Sequence, residues 1–368
     1  MAKYDVIDLF AGCGGFSVGF EKAGFKIVKA VEFDKQIAET YAHNHRGTKL
    51  FVNDIGKVDT DQYFQQGESD IIIGGPPCQG FSMAGARIRH NAFLDDPRNY
   101  LFKHYVNVVR IVKPKMFLLE NVKGILTMQG GKIFAEILKT FSDETLFGGD
   151  RYYLHYKVVK AVDFGVPQKR ERVVLIGMLN YDFDIDSLFN ETRTKLLQEQ
   201  PHFFDNVSVW QAISDLGTPT EDGEVRVGRA TSEFQKSLQS KGKKTYNHIQ
   251  SHHSEKATRR MEQIESGENW TKLNETIRSV HSGSYGRLEK EKPAATITTR
   301  FDTPSGGRFT HPEADRTITP REAARIQTFP DMFKFYGTKS SICKQIGNAV
   351  PPKLSYFLAN LVKGVLYE

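Results

Sequence analysis

The chain has little cysteine: three residues in 368, Cys13, Cys78 and Cys343, far apart and odd in number. That count and spacing suit neither a disulfide framework nor a cysteine-zinc site. No apolar run approaches the roughly 18 residues a membrane-crossing helix needs. The opening residues, Met1-Ala2-Lys3-Tyr4-Asp5, lead into a strand rather than a signal-peptide core. These absences point to an intracellular protein in which a lone thiol stays reduced. Composition is that of an ordinary soluble globular chain, with 39% apolar and 26% charged residues. Its length allows two domains or one large one.

Charge is unevenly placed. Between Val225 and Arg260 nine Lys or Arg (Arg226, Arg229, Lys236, Lys241, Lys243, Lys244, Lys256, Arg259, Arg260) face two acids, Glu233 and Glu255, which is a larger surplus than the +6 of the whole chain. Such a run is either a solvated face or the footprint of a phosphate backbone.

The most informative stretch is Asp70-Ile-Ile-Ile-Gly-Gly-Pro-Pro-Cys-Gln-Gly-Phe-Ser82. Three isoleucines predict a strand buried on both faces, and the glycines and prolines stop it abruptly. Cys78 then falls on a stiff turn past the strand's carboxyl end, where open α/β sheets bind ligands. A small buried cysteine is the alternative. The Gln79 to Arg98 segment that follows has no clear period and carries Arg87, Arg89 and Arg98, as expected of a lid or binding loop or of a charged surface loop.

Other strand tips also carry chemistry. Tyr4 to Phe10 predicts a first strand, followed by the glycine turn Ala11-Gly12-Cys13-Gly14-Gly15 and a helix ending at Gly24. A second strand, Ile27 to Val31, ends in Glu32, 18 residues after Gly14, where a Rossmann-type sheet binds a ribose. A third, Leu50 to Val52, places Asp54 at the next tip, within reach of an adenine amine. Asn99 to Val112 reads as a helix, and the strand Met116 to Leu119 ends in Glu120-Asn121-Val122. Alternation through Gln168-Lys169-Arg170-Glu171-Arg172 sets Gln168, Arg170 and Arg172 on one face before the apolar strand Val173 to Ile176. Near the end, Thr319-Pro320-Arg321-Glu322 forms a capping box that starts a helix. From Pro352 a last helix puts Leu354, Phe357, Leu358, Leu361, Val362 and Val365 on one face.

In this order, Phe10-Ala-Gly-Cys-Gly-Gly15, Glu32, Asp54, Pro76-Pro77-Cys78-Gln79, Glu120-Asn121-Val122, Gln168-x-Arg170-x-Arg172 and Gly347-Asn348-Ala349-Val350-Pro351-Pro352 resemble the C5-cytosine DNA methyltransferases. The resemblance covers residues 5 to about 182 and about 287 to the end. It implies an α/β fold: a Rossmann-like S-adenosylmethionine-dependent methyltransferase sheet with helices on both faces, plus a smaller irregular target-recognition domain. The catalytic domain would be 1–182 completed by 337–368, with 183–336 for recognition. The cofactor would be held by Phe10, Gly12, Gly14, Glu32, Asp54 and Asn348.

Cytosine C5 is too weak a nucleophile to take a methyl group unaided, and thiolate addition at C6 would activate it. By resemblance Cys78 is that nucleophile, Glu120 holds or protonates N3, Arg172 contacts O2 and Arg170 organises the site. Ser82, Arg87 and Arg89 would contact DNA, with the base flipped out of the duplex. His248, His252 and His253 lack accompanying ligands, so no metal is assigned. The expected partner is double-stranded DNA, with a possible cognate restriction endonuclease. The protein would be a cytoplasmic monomer of the compact bacterial or phage kind. A tRNA cytosine methyltransferase and a non-catalytic DNA-binding homologue remain alternatives.

Overall fold

The computed structural model describes residues 4–77, 100–275, 277 and 282–366. Cys78, Ser82, Arg87, Arg89 and the rest of the Gln79 to Arg98 loop lie outside the described residues.

The first half of the chain alternates strand and helix: β1 (Asp5–Leu9), α1 (Gly15–Lys22), β2 (Lys26–Glu32), α2 (Lys35–Asn44), β3 (Lys49–Val52), the single turn α3 (Thr60–Tyr63), β4 (Ile71–Gly74), α4 (Tyr100–Val112) and β5 (Met116–Val122). Then come α5 (Lys132–Phe141), β6 (Tyr152–Lys160), the short β7 (Gln168–Lys169), β8 (Glu171–Leu179) and α6 (Ile185–Glu199). Seven strands form one sheet in the order β3-β2-β1-β4-β5-β8-β6. The first five are parallel, and β8 runs antiparallel to both β5 and β6. Strand order reverses between β1 and β4, and a crevice opens outside the carboxyl ends at such a switch point.

The isoleucine run is buried on both sides, as its composition predicts. Ile72 packs with Ile7, Leu9, Phe117 and Leu175 under α4 and α5. Ile71 and Ile73 face the other way, with Val6, Leu118 and Ile176, under α1 and the closing helix α12 introduced below. Period-two alternation thus puts helices on both faces of one sheet.

The irregular part contains α7 (Val209–Ile213), β9 (Val225–Arg226), α8 (Glu233–Leu238), β10 (Lys244–Thr245), α9 (Glu255–Glu262), β11 (Ala294–Ala295) and α10 (Pro320–Ile326). The predicted capping box is present: the Thr319 side chain accepts from the Glu322 N–H and Glu322 accepts from the Thr319 N–H. A core of its own includes Ala212, Ile213, Leu216, Phe301, Ile318 and Ile326, and it reaches Cys13 and Ile37 beside the sheet. Inside it the fully buried Arg325 guanidinium pairs with Asp215 at 3.1 Å and with Asp331. β11 pairs in parallel with β7, Ala294 opposite Gln168.

Two further helices, α11 (Lys339–Asn348) and α12 (Pro352–Leu366), close the chain. The apolar stripe of α12 lies on the α1 side of the sheet, where Ser355 Oγ donates to the Phe16 carbonyl at 2.5 Å. β6, α5 and α6 have no counterpart in the sequence reading.

Candidate active site

Strand register sets the tips level. Leu9 is opposite Gly74, and Gly74 is opposite Leu119, so Phe10, Gly75 and Glu120 stand side by side, β5 alone continuing to Val122 against β8. They open onto a cleft of about 320 Å³ whose lining includes Phe10, Gly12, Glu32, Glu120, Arg172 and Asn348. Residues drawn from five separate sequence motifs therefore converge.

The glycine turn forms one wall. Its Ala11 N–H donates to the Val31 carbonyl at 3.0 Å, and its Gly12 N–H donates to Glu32 Oε2 at 3.0 Å. Glu32 Oε1 accepts from the Asp34 N–H at 2.8 Å, so one carboxylate fixes both the turn and the start of α2. Burial pushes that carboxyl upward, against the hydrogen bonds that favour its charged form. Gly14 does not line the cleft. Its φ is +94°, and a Cβ there would lie 2.0 Å from His45 Nε2, so any other residue would be strained and would collide. A Cβ on Gly15 would lie 2.4 Å from the Val350 carbonyl, and that closeness brings the segment after α11 against the turn.

Across the cleft, Glu120 and Arg172 occupy diagonal positions of the antiparallel β5–β8 pair, since Glu120 is opposite Val174 and Val122 is opposite Arg172. Arg172 Nε lies 2.9 Å from Glu120 Oε1. The contact is ionic rather than directional, because Oε1 has no hydrogen-bond donor among the described residues. Asn121 Nδ2 donates to the Pro76 carbonyl at 3.0 Å, tying the Pro76-Pro77 turn over the β5 tip. Arg170 is buried; it donates from Nη1 to the Gly347 carbonyl at 3.0 Å, and among the described residues its Nε has no partner. Burial first, then repulsion from Arg172, pushes its guanidinium down to about 9.

Some expected residues stand elsewhere. Gln168 turns into the protein: its side chain accepts from the Ile297 N–H at 3.2 Å and donates to Gln327 Oε1 at 2.7 Å. Asp54 does not line the cleft; its Oδ1 accepts from the Gly56 N–H at 3.0 Å and caps the turn after β3. His248 is buried with its nitrogens 2.9 Å from Thr319 Oγ1 and 3.2 Å from the Gly217 carbonyl.

Lining residues that the sequence did not identify include Asp8, Phe33 and Lys344. Phe33, 64% exposed, could have been read from its place directly after the Glu32 tip. Asp8 shares a face with Val6 in β1 and is fully enclosed. Ser17 Oγ donates to it at 2.6 Å and lies 2.8 Å from the Tyr41 hydroxyl. Burial pushes the Asp8 carboxyl up to about 7.

Comparison with known proteins identifies the family. Residues 4–364 match the family of C-5 cytosine-specific DNA methylases. The type II methyltransferase M1.HphI of Haemophilus parahaemolyticus is 34% identical over 361 residues, 97% of this chain and 86% of that protein. M.DdeI of Desulfomicrobium norvegicum is 33% identical, covering 97% and 88%. Among solved structures, one described as a DNA modification methyltransferase encoded within an E. coli prophage superposes over 100% of both chains, with a TM-score of 0.76 and 28% identity. The S. pombe Dnmt2 methyltransferase shares the fold, with a TM-score of 0.62 at 17% identity. The chain thus belongs to the C-5 cytosine-specific DNA methylase family and is a DNA (cytosine-5-)-methyltransferase that uses S-adenosylmethionine.

Proposed function

We propose that this enzyme methylates a flipped-out cytosine within a specific double-stranded DNA sequence through a covalent Cys78 adduct. The observation that carries the reading is the Glu120–Arg172 pair, set at the strand tips directly under a Pro76-Pro77 turn whose next residue is Cys78.

The cleft suits the cofactor. Phe10 and Phe33 offer apolar faces for a purine, and the Glu32 carboxylate keeps lone pairs for ribose hydroxyls. A Cβ on Gly12 would meet nothing within 4 Å, so the turn opens onto free space. Asn348 closes the far side, while Gly14 and Asp54 act by shaping the turns behind. When bound, S-adenosylmethionine supplies an electrophilic methyl group on a sulfonium.

In the proposed route the Cys78 thiolate adds to C6, and C5 of the resulting enamine takes the methyl group. The C5 proton is then lost to a base and the S–C6 bond breaks, which restores the aromatic ring and the thiolate. Glu120 shares a proton with N3 as charge builds there, and Arg172 meets O2. Arg170, locked to Gly347, supplies positive potential from behind. Ser82, Arg87 and Arg89 contact the DNA, and loop closure traps the flipped base.

In this reading residues 1–182 completed by 337–368 carry the chemistry, and 183–336 read the sequence through the basic segment. The type II names of the relatives support a role in restriction-modification beside a cognate endonuclease, with the enzyme acting as a monomer on cytoplasmic DNA. Among the described residues no helix is long and apolar enough to cross a membrane.

The test uses methyl-labelled S-adenosylmethionine with unmethylated genomic DNA or unmodified tRNA, comparing wild type with Cys78→Ala. Cysteine-dependent 5-methylcytosine in DNA is expected. Label in tRNA would overturn the substrate, and turnover by the alanine variant would overturn the nucleophile.

A further inference from the structure

A second cleft, of about 370 Å³, lies on the other side of α1, among α8, α12 and residues 200–203. α1 is the shared wall: Gly15 and Phe16 line the active cleft, whereas Val18 and Lys22 line this one. We infer that it is a binding site for a small anion carrying a flat apolar body, an aryl phosphate or aryl carboxylate.

Two lysines make the case for an anion. Lys22, on the rim, and Lys353, at the start of α12, both line the cleft, and among the described residues neither ammonium forms an ion pair with a carboxylate. Of the other charges near the cleft, Lys236 pairs with Glu233, and the Asp205 carboxylate lies 2.9 Å from His202. Asp205 also acts on Lys353 but does not line the cleft, whose lining sets Lys22, Lys236 and Lys353 against Glu233. The cleft therefore holds unmatched positive charge. Burial and the neighbouring Lys22 push Lys353 down to about 8, a penalty that a bound anion would relieve.

The aromatic walls make the case for the body. Lys353 Nζ lies 4.8 Å from the Phe203 ring centre and 5.7 Å from that of Phe234, and Lys22 Nζ lies 5.3 Å from that of Tyr356. Ring faces thus lie within cation–π range of both ammonium groups, a weak substitute for a carboxylate or phosphate oxygen. Pro201, Pro330 and Pro352 add rigid apolar surface at no side-chain entropy cost. Inorganic phosphate alone would leave that surface wet.

The experiment is isothermal titration of the full chain with phenyl phosphate, benzoate and inorganic phosphate, with S-adenosylhomocysteine present to keep the active cleft filled. One aryl anion should bind at one per chain, at least tenfold tighter than inorganic phosphate, and which of the two binds tighter identifies the anionic group. Lys353→Gln should weaken binding tenfold or more, and Lys353→Arg should restore it; both variants' far-ultraviolet circular dichroism controls for folding. The inference is overturned if neither aryl anion saturates, if phosphate binds as tightly as phenyl phosphate, or if a folded K353Q binds unchanged. Calorimetry reads none of the methyl-transfer chemistry, so failure here is distinguishable from failure of the proposed reaction.

Discussion

Arg172 Nε and Glu120 Oε1 are 2.9 Å apart on diagonal positions of neighbouring antiparallel strands, yet among the described residues the carboxylate oxygen receives no hydrogen bond. A partly desolvated acceptor held in place by a counter-charge is prepared for a donor that arrives later. Glu120→Gln should therefore lower single-turnover methyl transfer by about 10²- to 10⁴-fold. DNA affinity, measured by filter binding, should change little; a loss confined to affinity would contradict the role.

Arg172→Lys keeps the charge but not the planar fork that can hold a carboxylate and a base oxygen together. Its turnover should fall well below wild type while S-adenosylmethionine affinity is retained. Equal turnover would show that charge alone suffices.

Gly14→Ala should weaken cofactor binding although Gly14 lies outside the cleft lining. The φ of +94° and the His45 ring at 2.0 Å from the new Cβ leave it no unstrained conformation. A destabilisation of about 1–3 kcal/mol is expected from such backbone strain. Urea unfolding together with equilibrium cofactor titration checks both effects.

Asp8 makes stability depend on pH. Its carboxyl rises to about 7 in the folded chain from 3.8, so between those values the native state keeps a proton that the unfolded chain has released. Stability should then fall as pH rises through roughly 4 to 7, at about 1.4 kcal/mol per unit at most. Asp8→Asn, which can still accept from Ser17, should flatten that part of the curve. Urea midpoints at pH 5 and pH 8 measure it, and an unchanged slope would remove Asp8 as the source.

Asp331→Ala should be among the costlier single changes in the irregular part. It leaves the buried Arg325 with Asp215 alone, and breaking a buried pair costs about 3–5 kcal/mol. Chemical denaturation would show whether the cost is that large.

Much of this was legible in the chain. Ile71 to Ile73, the glycine turn and the Thr319 box each announce their local structure, because burial, backbone freedom and capping act over a few residues. The convergence of Phe10, Glu32, Glu120 and Arg172 followed from strand tips sharing one edge. Less legible was Gln168: strand alternation put it with the arginines, but a separate pairing with β11 turns its amide toward Ile297 and Gln327. Asp8 was hidden because an acid inside a strand reads as a surface residue until its neighbours are known. α6 was missed for a similar reason. Its buried residues Ile185, Phe189, Thr192 and Leu196 have helical spacing but are diluted by polar neighbours.

The contact of Gly15 with the Val350 carbonyl, and of Phe16 with Ser355, has a consequence for synthesis. The glycine turn emerges more than 300 residues before its opposite wall. Domains of a growing chain fold from the amino end onward, and a wall absent from the nascent polypeptide cannot be borrowed. A ribosome-bound chain lacking residues 345–355 would have only one wall of the cleft, and on the proposed reading methyl transfer begins only when the carboxyl-terminal helices have been made and docked.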